Sequence, residues 1–554
     1  MPKNKYLRVL LGIAGGIFSL LLILFIYLYV VATVQPPVPD DLSSLELNPV
    51  KTPDGLMTIH NSWFRQSQSG LYELYVEGNP FERGVIIGKL TRELVHYQEE
   101  VFTQQIHRLV PNTLYLEFLK YFVGWFNRNL EDQILPEYKM EIFGVSESAS
   151  HEFDDIAPPY HRLLNYHAAH DIGHALQNMS FVGCTSFGVW GTKSADSTLL
   201  IGRNFDFYVG QDFARDKIIA FYNPDQGHKF MMVTWGGMTG VLSGMNDQGL
   251  TVTINAAKSA IPSGSATPVS IVAREILQYA KNISEARHIA EQRKVFVSES
   301  FLVGSAFDGK AAVIEKTESE TGFYESGKDY IICANHFQSE LLSNTELNLK
   351  HMKTSPSPYR HNRMEELLNQ KEKISVTDAA EILRNQLGLG GKDIGLGNEK
   401  AINQLISHHA IIFQPERLKV WISTSPYQLG KFICYDLNKV FSSSPKTDNV
   451  EISDSTFTIS EDPFLYSLEF KNYQKFVQFR FPFSDRSNLN PDSLVQWNTN
   501  SYLSYMLGGD HFFKEKEYAK AQKFYELGLG KEVSSTQEAN YMMNQIKICK
   551  EKLQ

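Results

Sequence analysis

The first hydrophobic run is unbroken. Val9–Val34 carries no charge over 26 residues, and as a helix it would reach about 39 Å against a bilayer core of about 30 Å. It therefore predicts a membrane span. Lys3, Lys5 and Arg8 precede it, while Asp40, Asp41 and Glu46 follow. That asymmetry predicts a cytoplasmic N-terminus with the bulk of the chain outside, periplasmic or extracellular. The run is long for a signal peptide and no small-x-small site follows it, which favours an uncleaved single-pass anchor over residues 1–34. The polar, proline-rich stretch that follows predicts a stalk over 35–70.

From Leu71 the apolar spacing is mainly helical, as in GKLTRELVHYQEEVFTQQIHRLV, and predicts a helical segment over 71–183. After Gly183 the texture changes. CTSFGVWG, TLLIGRNFDF, KIIAFYN, HKFMMVTW, VLSGMN and LTVTINA are short β-branched and aromatic runs parted by turn signals such as NPDQG and NDQG. Two helical patterns follow (PVSIVAREILQYAK and ISEARHIAEQRK), then more strands, helices over roughly 360–387, and closing strands. This order predicts a layered α+β domain over 184–441, not a βαβ repeat. A linker and irregular segment is expected over 442–500. The tail over 501–554 is helical, and Gly509, Tyr518, Ala521 and Tyr525 fall near the small and aromatic positions of one tetratricopeptide repeat. A plain helical hairpin packed on the main domain fits the same residues.

Composition narrows the class. Lys and Arg number 53 against 62 Asp and Glu, a formal charge of −9, which argues against a nucleic-acid partner. Charged residues at 21% and aromatics at 12% exclude a disordered chain. Four cysteines without a Cys-x-x-Cys exclude a disulfide-stapled scaffold.

The chemistry is expected at Gly183-Cys184, where helix gives way to strand. A lone cysteine in an apolar run is by default a buried thiol. Its downstream context raises it. GRNFD brings Arg203 and Asp206, three apart; an arginine favours a thiolate and an aspartate can orient an amine. Asn255 ends the strand of MNDQGLTVTINAA, and Asn335 ends that of YIICANHF; either could serve an oxyanion hole or hold a substrate carbonyl. PSPYRHNRMEELL offers Arg360 and Arg363 at a helix start.

In this order the motifs GCTSF, GRNFD, GMNDQGLTVTINAA and ANHF resemble the acyl-coenzyme A:6-aminopenicillanate acyltransferase family of cysteine N-terminal-nucleophile hydrolases. Choloylglycine hydrolases and acid ceramidases look like more distant relatives. The resemblance covers about Leu71–Leu437 and includes YVEGNPFERGVIIGKL, similar to the family's strand-to-helix segment. It implies a four-layer αββα sandwich and self-cleavage after Gly183. It implies Cys184 as nucleophile, Arg203 and Asp206 beside it, Asn255 and Asn335 around the scissile carbonyl, and Arg360, or Arg363 close by, as the late active-site arginine. No cofactor or metal is implied.

The expected function is a self-processing cysteine amidohydrolase that cleaves a linear non-peptide C–N amide, with an N-acylated or lipid-like substrate, through a thioester. Once freed, the α-amine of Cys184 has a reference pKa near about 8 and can take the thiol proton. The alternatives are an acyltransferase using a thioester donor, and a non-enzymatic anchored assembly protein whose tail binds a protein partner. Anchor, stalk and tail lie outside the resemblance and are expected not to touch the chemistry. His161, His167, His170 and His174 crowd the helix before Cys184, and His167, His170 and His174 have plausible metal spacing, but polar packing or a role near the processing site is the preferred reading. His408 and His409 are expected on opposite faces of a strand, unable to pair. LGLGGKDIGLG (387–397) lacks the ending of a phosphate loop and reads as a surface or substrate loop.

Overall fold

A computed structural model describes residues 5–32, 34–176, 183–207, 212–260, 264–406, 408–442, 451–481 and 484–554. The N-terminal helix is Lys5–Ala32, and its Val9–Leu28 portion is long and apolar enough to cross a membrane or to serve as a signal sequence.

The remainder is a mixed α/β fold with two sheets. One has eleven strands and runs, in spatial order, from Val50–Lys51 through Tyr72–Gly78 and Ile218–Pro224 to Leu250–Ala256, Glu299–Ser305 and Thr321–Tyr324. Tyr72–Gly78 and Ile218–Pro224 pair in parallel; its other pairings are antiparallel. The second has six antiparallel strands in the order Tyr330–Cys333, Thr185–Val189, Leu200–Phe205, His409–Gln414, Lys419–Ser423 and Phe432–Asp436. Alternation along each strand gives each sheet two apolar faces. Ile219, Phe221, Met231 and Val233 of the large sheet meet Ile201, Ile411, Phe413 and Ile422 of the small one in a single cluster. The intervening residues Ala220, Tyr222 and Met232 face Ile142, Leu163 and Ile276 of three helices. Phe187, Val189, Ile412 and Trp421 of the small sheet face Met364, Leu368 and Leu383 of helices Ser357–Gln370 and Val376–Leu383.

Three expectations about organisation are corrected. The stalk does not reach residue 70: Val50–Lys51, Met57–Ile59 and Ser62–Gln66 are strands of the large sheet. The TPDG turn and the His60-Asn61 turn join them, with His60 at φ 52°. The segment 71–183 opens with a strand, Tyr72–Gly78, before its helices. The segment 442–500 carries the helices Leu468–Arg480 and Pro491–Trp497. Beyond them Tyr502–Lys514, Tyr518–Leu529 and Thr536–Leu553 complete a C-terminal helical region. Its core of Phe470, Tyr473, Tyr502, Ala521 and Tyr525 also takes in Leu405, Ile406 and Leu429.

Candidate active site

Cys184 immediately precedes the buried strand Thr185–Val189, flanked by Tyr330–Cys333 and Leu200–Phe205. Ser186 registers with Arg203 and Cys333, and the Ser186 hydroxyl donates to Asn255 Oδ1 across to the large sheet at 2.6 Å. Cys184, one residue outside the strand, is placed by its own contact with Arg203. Arg203 Nη2 lies 3.7 Å from Cys184 Sγ, its Nη1 donates to Leu242 O at 3.2 Å and to Ser243 Oγ, and Nη2 also donates to Ile254 O. Its guanidinium lies 4.5 Å from the Phe205 ring centroid. Burial pushes the Cys184 thiol up to about 11, partly opposed by the Arg203 charge. The thiol is therefore held protonated.

Arg203 lies within its strand and Asp206 just beyond its end, and they form no ion pair among the described residues. Asn204 donates to Leu383 O and Ile402 O on the helical side. The Asp206 carbonyl accepts the Gly183 N–H at 2.9 Å, which ties residue 206 to the peptide before Cys184. Its carboxylate accepts from Gln404 Nε2 at 3.4 Å and Gln428 Nε2 at 3.5 Å. Burial lifts its pKa to about 7, against the opposing charge of Arg360.

The two asparagines are buried and already engaged. Asn255 Nδ2 donates to Cys333 O at 3.0 Å, so in this state its amide braces the two sheets and does not face the Gly183 carbonyl. Asn335 Nδ2 donates to Ala256 O at 2.8 Å and its Oδ1 accepts from Arg360 Nη2. Arg360 also donates from Nε to Thr185 Oγ1 at 3.1 Å and from Nη1 to Glu399 O at 2.8 Å. It thus grips the residue after Cys184 from the opposite face of the strand. Arg363 turns elsewhere, to Glu366 Oε2 at 2.8 Å and Asn385 Oδ1 at 3.2 Å.

Sequence reasoning missed the groups that complete this constellation. Gln404 Nε2 donates to the Gly183 carbonyl oxygen at 2.6 Å. Ser243 Oγ takes Arg203 on one side and contacts His409 Nε2 at 2.9 Å on the other. His408 Nδ1 and His409 Nδ1 are 2.9 Å apart, so the pair expected to diverge is hydrogen-bonded. The strand begins only at His409, and strand alternation does not govern the residue before it. Burial drives both imidazoles well below their usual range, so both are neutral and one ring nitrogen can donate to the other. No spacing rule links Gln404 to Gly183, 221 residues earlier; only a signal that AINQLIS precedes a strand of the cysteine's own sheet would have pointed to it.

His167 is a packing histidine: Nδ1 contacts Leu163 O at 2.8 Å, Nε2 accepts the Thr239 N–H at 2.9 Å, and burial lowers its pKa to about 4. The side chains of His170 and His174 lie outside the described ones. Among the described residues no group of three or more His, Cys, Asp or Glu is arranged to hold a metal.

The 387–397 loop is not a free surface loop. A Cβ on Gly397 would lie 2.8 Å from Arg480 Nη1, and one on Gly395 would lie 2.3 Å from Ser501 N. Arg480 donates to Gly397 O, to Gln404 O at 3.1 Å, and to Tyr473 Oη at 2.9 Å. Helix Leu468–Arg480 thus packs against the segment that carries Gln404.

The family model described as "AAT: Acyl-coenzyme A:6-aminopenicillanic acid acyl-transferase" matches residues 192–423. The chain is similar to an uncharacterized protein of Archaeoglobus fulgidus, 27% identical over 261 residues; the match spans 44% of this chain and 42% of that relative, less than half its length. Solved structures similar to it include a Caenorhabditis elegans N-acylethanolamine-hydrolyzing acid amidase ortholog, at 16% identity and TM-score 0.31 over 42% of this chain and 93% of that one. Another is a mutant of conjugated bile acid hydrolase from Clostridium perfringens, at 12% identity and TM-score 0.33 over 48% and 97%. A third is penicillin V acylase from Agrobacterium tumefaciens, at 14% identity and TM-score 0.28 over 46% and 87%. The family match takes in GRNFD, GMNDQGLTVTINAA and ANHF but begins after Cys184 and its strand, and the description of that family is acyl transfer.

Proposed function

We propose that this chain is a self-processing cysteine amidohydrolase built on a four-layer αββα sandwich, with Cys184 as nucleophile. The observation that carries the reading is the convergence on one peptide bond. Arg203 meets the Cys184 sulfur, Asp206 takes the Gly183 N–H, Arg360 grips Thr185, and Asn335 holds Arg360. The three apolar clusters, one between the sheets and one on each outer face, support the layering.

In the first reaction the Cys184 thiol gives its proton to the Asp206 carboxylate, whose charge already bears on it, and the thiolate attacks the Gly183 carbonyl carbon. The tetrahedral oxyanion collapses, the Gly183–Cys184 C–N bond breaks, and the leaving nitrogen takes up the proton. Water then hydrolyses the thioester, which leaves a carboxylate on Gly183 and a free thiol and α-amine on Cys184. In the second reaction that amine serves as base for attack on a linear amide. The acyl group passes to the sulfur, the substrate amine leaves, and water releases the acid. Arg203 stabilises the thiolate in both. Asn255 turned from Cys333 O toward the substrate carbonyl would supply the oxyanion donor of the second.

The apolar N-terminal helix supports an anchored protein with its catalytic domain outside the cytoplasm, beside lipid-like N-acyl substrates. The description of the matched family favours a second reading, transfer of the acyl group to an amine in place of water. Mass analysis of products with and without an added amine separates the two. The decisive experiment is N-terminal sequencing of the mature large fragment, expected to start at Cys184. An intact wild-type chain, identical in migration to Cys184→Ala and inactive on an amide panel, refutes the enzyme reading.

A further inference from the structure

Among the described residues, the hydrogen bond on the Gly183 carbonyl comes from a side chain that no motif singled out. Gln404 Nε2 donates to that oxygen at 2.6 Å and also faces Asp206 Oδ2 at 3.4 Å. Both partners are acceptors, so the nitrogen end of the amide must be the one turned toward them. A second observation is independent of the hydrogen bond. A Cβ built on Gly183 would lie 2.2 Å from Gln404 Nε2, 2.6 Å from Oε1 and 2.8 Å from Cδ. The site thus admits this amide against this carbonyl only because residue 183 has no side chain.

Support for Gln404 comes from the C-terminal helices. Leu405 and Ile406, the next two residues, are buried in the core of that region beside Phe470, Tyr473 and Tyr502. Arg480 of helix Leu468–Arg480 donates to the Gln404 backbone carbonyl at 3.1 Å, and Ser534 Oγ reaches Glu399 Oε2 of the same loop at 3.0 Å. The charged groups around Gln404 are Asp206 at its side-chain nitrogen, Arg480 at its backbone carbonyl, and Arg360 at the neighbouring Glu399 carbonyl.

We infer that Gln404 is the oxyanion donor of self-cleavage at Gly183, and that the C-terminal helices act as a clamp that holds it there through Arg480. The inference rests on the self-processing reading above. When the thiolate adds to the Gly183 carbon, the carbonyl electron pair moves onto the oxygen that Gln404 already touches. A preorganised donor at that point is worth about 10²–10³ in rate. Gln404 is catalytic in this account; Arg480 is a positioning residue.

The test follows conversion of the full chain into the 1–183 and 184–554 fragments by time-resolved gel and intact mass. Gln404→Met, of similar length without a donor, should slow conversion about 10²–10³-fold with the thermal midpoint nearly kept. Conversion at the wild-type rate overturns the inference. Gln404→Glu gives a second readout, because its protonated carboxyl can donate and its carboxylate cannot. The ratio of its rate to wild type should fall as pH rises; a constant ratio overturns the donor role even if both variants are destabilised. In Gly183→Ala/Gln404→Ala the clash with the residue 404 side chain is gone, yet cleavage should stay slow; recovery would reduce Gln404 to packing. Arg480→Met should slow cleavage, and adding it to Gln404→Met should cost little more, since both act through one donor. Full additivity would overturn the clamp. A wild-type chain that never divides defeats the parent reading, an outcome distinct from a variant that divides normally.

Discussion

Glu141 offers a quantitative check on how the two expected fragments are held together. It lies in helix Pro136–Ser146 and is fully buried. Its Oε2 accepts from Arg83 Nε at 2.7 Å and Arg274 Nη2 at 3.2 Å, and its Oε1 accepts from Arg274 Nη1 at 3.3 Å. Arg83 and Glu141 precede Gly183 while Arg274 follows it, so division of the chain would leave this ion pair as a bridge between products. Glu141→Ala would take the carboxylate from two buried guanidinium groups, leaving Arg83 the exposed Asp225 at 3.7 Å. Breaking a buried pair by deleting one partner costs about 3–5 kcal/mol. Here the lower end is expected, because Arg83 retains Gly78 O at 2.8 Å and Arg274 retains Thr239 O at 2.9 Å and Gln278 Oε1 at 3.1 Å. A loss of about 3 kcal/mol is about 150-fold in the folding constant at 1.36 kcal/mol per decade. The assay is denaturant unfolding in a Cys184→Ala background, where the chain stays whole. The control is Glu291→Ala, which removes an exposed partner of Arg287 at the same 2.7 Å. That loss should stay within about 0.5 kcal/mol. Equal shifts in the two variants would refute the reasoning. Burial alone would raise the Glu141 carboxyl, but Arg274 and Arg83 outweigh it and hold the group below its usual value. Its stabilisation is therefore present above the ordinary carboxylate range and lost as pH falls through the lower folded value. Glu141→Gln should flatten the acid limb of the stability profile.

Other predictions concern the site. Cys184→Ala should remain a single chain on a denaturing gel. Cys184→Ser should divide slowly and release little acid from an amide, since an alkoxide forms less readily than a thiolate; wild-type turnover by the serine variant would count against the nucleophile. Arg360→Met removes its bonds to Thr185, Asn335 and Glu399 and should suppress processing. Arg363→Met should leave processing near wild type, because that guanidinium pairs with Glu366 and Asn385; the reverse order would exchange their roles.

Much of the strand pattern was legible because buried β-branched runs carry their own boundaries. LTVTINA is observed at Leu250–Ala256, and both helical patterns after it are observed at Val269–Tyr279 and Ile283–Gln292. The first strands were hidden by polar turns: SWFRQ is a five-residue strand among prolines, glycines and serines, and its pairing with Tyr72–Gly78 is a tertiary fact. Local composition read it as stalk. Within the candidate site, Cys184 and Arg203 were singled out by their motifs, and the structure brings the two together. Asp206 was singled out beside Arg203, with which it forms no ion pair among the described residues; it meets Gln404 and Gln428 instead. Gln404, Ser243 and the joined His408-His409 pair were not legible. Their contacts are set by the meeting of segments far apart in the chain, which no local period encodes.

Asp206 supplies the most direct link between burial and the order of the two proposed reactions. Before cleavage the nitrogen of Cys184 is a peptide nitrogen and has no basicity, so the later base does not yet exist. The thiol itself is pushed up to about 11, with burial the main cause. The Asp206 carboxyl is lifted by burial to about 7 against the charge of Arg360, with two weak amide contacts among the described residues, from Gln404 and Gln428, on its oxygens. A carboxylate with that value can accept a proton near neutrality, whereas an ordinary one near about 3.9 is too weak a base. Its ionised fraction grows about tenfold per pH unit below its pKa and then levels, so self-cleavage should rise with pH and reach a plateau above about 7. Stability moves the other way. A carboxyl raised in the folded state favours folding fully below its unfolded value, and that contribution is lost as pH rises through about 7. Processing and destabilisation should thus share one window, and Asp206→Asn should abolish both trends while the fold persists. Conversion of freshly synthesised chain, timed between about pH 5 and pH 8, reads the first, and thermal unfolding of the Cys184→Ala chain over the same range reads the second. A flat conversion profile, or an unchanged profile in Asp206→Asn, would remove Asp206 as the first base and leave the buried thiol without one.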